Sequence, residues 1–249
     1  MKGELPETAH QEGREKPDWV DQFIYTSTHE LKTPLTSIKG YVDLIRRNLS
    51  ERQGTQELDE LRHMFDVVAR NTERLEELVD DILEMRRIID GRLDISKSRS
   101  NVTDLLRQVA GEMRPILDAR SQHLRVESSV ESFVFGRQRI AEVLQNLIQN
   151  SSKFSPDGST IWLRVERVDG AARFSVTDEG IGLSQEDVAK LFKPFPNIKK
   201  PGPHNGTGLG LSICNGIVEL HGGEMWAESS GSGQGSTFFF TIPADNPRK

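Results

Sequence analysis

A chain of 249 residues has room for about two domains, and a composition of 35% apolar and 28% charged residues is that of a globular protein. The net charge of −6 argues against a general nucleic-acid binder, which is usually basic. A single cysteine, Cys214, excludes an internal disulfide and suits a reducing, cytoplasmic setting, and no apolar run reaches the roughly 18–20 residues that span a bilayer.

In chain order, residues 1–16 are polar and read as a disordered leader. From Asp18 to about Asn48, Val20, Ile24, Leu31, Ile38, Tyr41 and Ile45 fall on heptad steps, with Ser27 and Pro34 filling the seam. A second run from Glu57 to Ile89 repeats the pattern through Leu58, Leu61, Phe65, Val68, Leu75, Val79, Ile82 and Ile89. The polar, glycine-containing NLSERQGTQ between them suits a helix-to-helix turn. Each helix is on the order of 45 Å long. One hairpin over residues 17–91 buries a single seam, so two hairpins in a dimeric four-helix bundle are expected, which makes the protein a homodimer.

Gly91 ends the second helix, and residues 92–100, RLDISKSRS, read as a hinge or short strand. Beyond it, over residues 101–245, the pattern changes. A helix is expected at about Val102 to Ala119, with others near Arg137 to Phe154 and Gly210 to His221. HLRVESS, TIWLRVERV, ARFSVTDEG and STFFFTIP alternate as strands. One sheet covered by helices, an α+β two-layer sandwich, accounts for this mixture. Residues 246–249 form a short tail.

With Ile24, Leu31 and Ile38 at one seam position, His29 falls on the outermost face of its helix. Thr33 lies beside it at four residues' distance, and Glu30 is adjacent. Pro34 removes a backbone hydrogen bond and should bend the helix just after the histidine. An exposed histidine is by itself most often a solvated residue. None of the six histidines has a second His or Cys at metal-ligand spacing.

In RQRIAEVLQNLIQNSSKF, Arg139, Glu142, Asn146, Asn150 and Lys153 make a polar stripe at steps of three and four. Asparagine is a mediocre helix former, so two of them one turn apart call for a reason, although a solvated face would also fit. Downstream stands DEGIGL (178–183), whose glycines let backbone approach a ligand and whose aspartate can accept from an amino group. GTGLGL (206–211) then runs into an apolar helix, a turn that can offer backbone N–H groups and a dipole to phosphate. It is not a Walker loop, because no GK[ST] follows.

HELKTPL (29–35) resembles the phosphoacceptor box of two-component histidine kinases. The asparagine helix, DEGIGL, LFKPFPN and GTGLGL, in this order and spacing, resemble the N, G1, F and G2 boxes of the Bergerat-type ATP-binding fold, and GSGQGSTFFF resembles its closing segment. The resemblance covers nearly the whole chain after residue 17. It implies that His29 attacks the γ-phosphate of ATP, with Glu30 orienting the ring and taking up the proton, and that Thr33 helps to place a water when a phosphorylated partner is dephosphorylated. It implies that Asn150 coordinates Mg2+, that Asn146 and Lys153 lie towards the phosphates, and that Asp178 reads the adenine amino group. Gly180 and Gly182 would shape that pocket with help from Thr237, and Gly206, Thr207, Gly208, Leu209 and Gly210 would frame the triphosphate.

Phe192 and Phe195 would belong to a mobile lid between Ser184 and Asn205. The lid lacks the arginine usual after the second phenylalanine, so Lys199, Lys200 and His204 are either substitutes or ordinary loop residues. The implied partners are a second copy of the chain and a separate response regulator receiver domain, with no nucleic acid and no membrane segment. Hydrolysing members of the fold resemble a pattern with glutamate four residues before the magnesium asparagine; here that position is Asn146, which cannot act as a base. Two alternatives remain: an ATPase or chaperone-like member of the fold, and a non-catalytic scaffold that binds nucleotide weakly.

Overall fold

Two long helices open the chain, α1 (Asp18–Glu51) and α2 (Glu57–Ile89), packed side by side as a hairpin. The structure, a computed structural model, describes residues 18–51, 57–196 and 206–244, and the side chains at 18–22, 46–51 and 57–59 lie outside the description. The leader and tail expected at 1–16 and 246–249, the turn residues 52–56, and Lys199, Lys200 and His204 of the lid lie outside the described residues.

The seam differs in detail from the expected one. On α1 the buried line is Phe23, Ser27, Pro34 and Ile45, with Leu31, Ile38 and Tyr41 half-buried between them. Ile24, expected in the seam, is 49% exposed. On α2 Leu78 and Met85 are buried, whereas Phe65 and Val79 face outward. The cause is that each helix carries two apolar lines. One faces its hairpin partner; the other, including Ile24, Leu35, Val42, Phe65, Val79 and Leu83, is uncovered in a single chain. Helix α1 runs through Pro34 without interruption.

After the hairpin come β1 (Ser98–Asn101), α3 (Val102–Asp118), β2 (His123–Ser128), β3 (Ser132–Phe135), α4 (Arg137–Phe154), β4 (Thr160–Val168), β5 (Ala171–Asp178), the single turn α5 (Gln185–Val188), α6 (Gly210–Leu220), β6 (Met225–Glu228) and β7 (Ser236–Ile242). Helix α3 starts where Asn101 Oδ1 accepts the Asp104 N–H at 2.9 Å, a side-chain N-cap. The main sheet has the order β2-β4-β5-β7-β6, with β2 and β4 parallel and the other pairs antiparallel. Its inner face, including Ile161, Leu163, Phe174, Val176, Phe238 and Phe240, is buried under α3, α4 and α6. Phe174 and Phe240 stack at 4.5 Å between ring centres on neighbouring strands. This is the two-layer α+β sandwich that the alternating runs predict.

Residues 92–100 are less free than a hinge. Ser98–Asn101 pair antiparallel with β3, which bears out the short-strand alternative for the end of this segment. Leu93 is buried, Arg139 Nε donates to the Asp94 carbonyl at 3.3 Å, and Lys97 Nζ reaches the His221 carbonyl at 3.2 Å. The linker therefore lies along the sandwich. One apolar core extends from Phe23, Leu78 and Met85 of the hairpin, through Leu93, into the interior of the sandwich. Among the described residues no helix is long and apolar enough to cross a membrane.

Candidate nucleotide and phosphoacceptor site

Helix α4 is the spine of the site, and both of its ends are held by residues far away in sequence. At its start Gly136 has no side chain to cap with, and its N–H donates to His221 Nε2 at 2.9 Å. His221 Nδ1 lies 2.8 Å from the Ile217 carbonyl, so the ring is a neutral tautomer that donates at Nδ1 and accepts at Nε2. Burial holds its pKa below the ordinary histidine value, and Lys97 acts in the same direction. A side chain at Gly136 would collide with the Ile95 carbonyl of the linker. At the far end Gln122 Nε2 donates to the Ser152 and Pro156 carbonyls at 3.0 and 2.9 Å, and Arg120 bonds the carbonyls of Ser152 and Ser155. These contacts satisfy the carbonyls left open at the helix C-terminus. His221 is thus a structural residue at the end of α6; Gln122 and Arg120 escaped the sequence reading, since a polar RSQ turn carries no signal of its own.

The stripe between these clamps is drawn together as expected. Asn150 Nδ2 donates to Asn146 Oδ1 at 2.9 Å, while Asn150 Oδ1 accepts no hydrogen bond from the described residues. The Gly206–Gly210 turn closes over the helix. A Cβ at Gly210 would collide with the Asn146 amide, and one at Gly206 would sit 3.3 Å from Lys153 Nζ. Leu209 N–H donates to Thr207 Oγ1 at 3.3 Å, which shapes the turn, and Leu209 itself is buried. Partial burial depresses the Lys153 pKa, with Arg74 of α2 adding to the effect and Glu77 opposing it.

Asp178 ends β5 with only 7% exposure. One carboxylate oxygen accepts the N–H groups of Gly180 and Ser236 at 2.8 and 3.2 Å; the other has only the Ser151 hydroxyl at 3.4 Å. Burial raises its pKa in spite of these three donors. Gly180 is required because a Cβ there would press on Asp178 and on the Phe154 carbonyl at 2.7 and 2.8 Å. Gly182 has φ +69° and a Cβ would collide with the Gly231 carbonyl.

Thr237 is a correction. Asp178 pairs in register with Ser236, and Thr237 pairs with Thr177. Since side chains alternate along a strand, Thr237 faces away from Asp178, and its hydroxyl lies 3.0 Å from that of Thr177. Ser236 is the closing-segment residue beside the aspartate.

Phe195 adopts φ +50°, donates its N–H to the Gly208 carbonyl at 3.0 Å, and stacks on Phe23 of α1 at 5.9 Å. Phe23 stands six residues before His29 and was missed, because the heptad was read through Ile24 instead. His29 is exposed on α1, as expected. Thr33 Oγ1 donates to the His29 carbonyl at 3.4 Å, and Glu30 lies 3.9 Å from Arg74 of α2. Arg74 is also the cation that bears on Lys153.

A hairpin that exposes a histidine, set against a sandwich with a glycine turn and a buried aspartate, defines the class: a two-module core of helical hairpin and α+β sandwich. Residues 20–91 match the His Kinase A (phospho-acceptor) domain, and residues 136–246 match the histidine kinase-, DNA gyrase B-, and HSP90-like ATPase family. The chain belongs to the two-component sensor histidine kinase family. It is 34% identical over 237 residues to the circadian input-output histidine kinase CikA of Synechococcus elongatus, a match covering 89% of this chain and 30% of CikA. Among solved structures, Acinetobacter baumannii histidine kinase AdeS is 25% identical with a TM-score of 0.71, covering 88% of this chain and 98% of that one. The catalytic domain of histidine kinase ThkA is 30% identical with a TM-score of 0.53, covering 61% of this chain and 97% of the domain. The chain spans about a third of the length of some curated relatives it matches and 60–65% of others.

Proposed function

We propose that this chain is the autokinase core of a sensor kinase. A nitrogen of His29 attacks the γ-phosphorus of ATP, the bond to the β,γ-bridging oxygen breaks, ADP leaves, and the ring proton passes to Glu30. The observation that carries this reading is an exposed histidine and a glycine turn in one continuous assembly, joined by the Phe23–Phe195 stack and the Phe195 N–H bond to the Gly208 carbonyl. Asp178 accepts the adenine amino group with its less occupied oxygen. Asn146, Lys153 and the Gly206–Gly210 segment hold the phosphates, with Thr207 and Leu209 in that turn.

The donor set fits Mg2+, because the amide geometry of Asn150 leaves its oxygen open while phosphate oxygens supply further hard ligands. Bound there, Mg2+ would offset the phosphate charge that the imidazole must approach.

The chain works as a homodimer: the uncovered apolar line of Ile24, Leu35, Val42, Phe65 and Val79 needs a partner surface, and a second hairpin supplies it. The phosphoryl group then passes to an aspartate on a separate response regulator. ThkA has been solved in complex with the response regulator protein TrrA. Phosphatase activity towards that regulator is assigned to Glu30 and Thr33, both beside His29.

The test is incubation with γ-labelled ATP and Mg2+, comparing the wild type with His29→Gln and Asn150→Ala. Acid-labile, base-stable label confined to the wild type is the expected result. Label persisting in His29→Gln would move the acceptor elsewhere, and absence of label with ATP still bound would favour a scaffold or phosphatase.

A further inference from the structure

The sandwich is held against the hairpin chiefly through α2. Ile88 lies where a side chain at Gly216 would collide with it, and Arg139 Nη1 pairs with Glu84 at 2.6 Å while also pairing with Glu142 at 2.7 Å. Between these contacts Thr207 donates its hydroxyl to Asp81. Thr207 is the one hydroxyl in the turn assigned to the phosphates, and the group it meets is an anion.

We propose that Asp81 is a built-in competitor for the phosphate end of the nucleotide, occupying Thr207 while the sandwich is docked on α2. A carboxylate and a phosphoryl oxygen seek the same donor, so each must displace the other. The cavity at this junction, about 290 Å³, is lined by Asp80, Asp81, Glu84 and Glu142 together with Asn146 and Gly210 of the nucleotide site. Among its described lining residues the one cation, Arg139, is already paired with Glu84 and Glu142. Burial raises the Asp81 pKa, and Glu77, Asp80 and Glu84 push it the same way, leaving the Thr207 hydroxyl as the main compensation. A triphosphate brought to this turn has Lys153 beside Gly206, but at Thr207 it meets the Asp81 carboxylate until α2 withdraws. Docking and phosphate binding are then coupled, each weakening the other by the same factor.

The proposal rests on the reading of Gly206–Gly210 as a phosphate turn. The test is calorimetric titration of the whole chain with the β,γ-imido analogue of ATP and Mg2+. Asp81→Ala and the near-isosteric Asp81→Asn are compared with Asp80→Ala, which removes a charge from the same cavity but no contact to the turn. About tenfold tighter binding is expected for Asp81→Ala, a gain in the same direction for Asp81→Asn, and a change within about twofold for Asp80→Ala. In a Thr207→Val background the gain from Asp81→Ala should vanish. Unchanged or weaker binding in both Asp81 variants overturns the proposal, as does an equal gain in Asp80→Ala. If Asn150→Ala binds the analogue as the wild type does, or neither binds, the phosphate-turn reading itself fails and the proposal falls with it. Binding by the wild type that depends on Asn150 but not on Asp81 sinks the proposal alone.

Discussion

The ring nitrogen Nε2 of His221 accepts the backbone N–H of Gly136 at 2.9 Å, so the residue that ends α6 caps the start of α4. The bond requires a neutral imidazole, and burial keeps it neutral by lowering its pKa. The unfolded chain carries an ordinary histidine that protonates below about pH 6.5. This stabilisation is therefore complete above that pH and is lost as the pH falls towards the depressed folded value. The melting temperature of the wild type should fall more between about pH 7.5 and 5.5 than that of His221→Ala. At the higher pH the substitution should itself cost about 1–3 kcal/mol, because it orphans a buried N–H. Equal pH slopes for the two proteins would exclude His221 as the source.

Asp178 has the opposite sign. Burial raises its pKa above the unfolded value, so as a charged group it works against folding at neutral pH and does so less as the pH falls. Asp178→Asn keeps an oxygen for the N–H groups of Gly180 and Ser236 and removes the charge. It should leave the ligand-free protein as stable or up to about 1 kcal/mol more stable, while weakening ATP binding at least about tenfold through loss of an acceptor. Thermal melts and an ATP titration on one preparation measure both quantities, and a variant that binds ATP normally would detach Asp178 from the adenine.

The register of β5 and β7 makes a sharp distinction at the next position. Thr237→Val should leave ATP affinity within about twofold and cost about 1 kcal/mol of stability, through loss of its Thr177 partner. A tenfold loss of affinity would return Thr237 to the pocket.

The Phe23–Phe195 stack joins the phosphoacceptor helix to the segment that borders the glycine turn. Phe23→Ala should destabilise the chain by about 3 kcal/mol. A double-mutant cycle with Phe195→Ala should show a coupling of about 1 kcal/mol. Additive effects in chemical denaturation would mean that the rings touch without depending on each other.

Much of this site could be read in the sequence because its constraints are local. Gly180 and Gly182 sit where backbone approaches backbone, and Asn146, Asn150 and Lys153 share a helix stripe whatever surrounds it. The features that escaped depend on tertiary structure. Thr237 follows a serine at a strand start, and only the pairing with β5 decides which of the two faces Asp178. Phe23 and Ile24 are both apolar, and their fates diverge because Phe195 covers one of them. Thr207 belongs to a glycine turn in sequence, but its hydrogen bond runs to a residue 126 positions away.

The apolar core that passes from Phe23, Leu78 and Met85 into the sandwich has a mechanical consequence. Successive residues of an α-helix are set about 100° apart around the axis. Turning α1 by that amount would take Phe23 out of register with Phe195 and present Ile24 in its place. The aromatic stack therefore corresponds to one rotational setting of the helix, and a full step of rotation would break it. Torque applied along α1 would be felt at Gly208 as release, through a contact that involves neither the histidine nor the nucleotide.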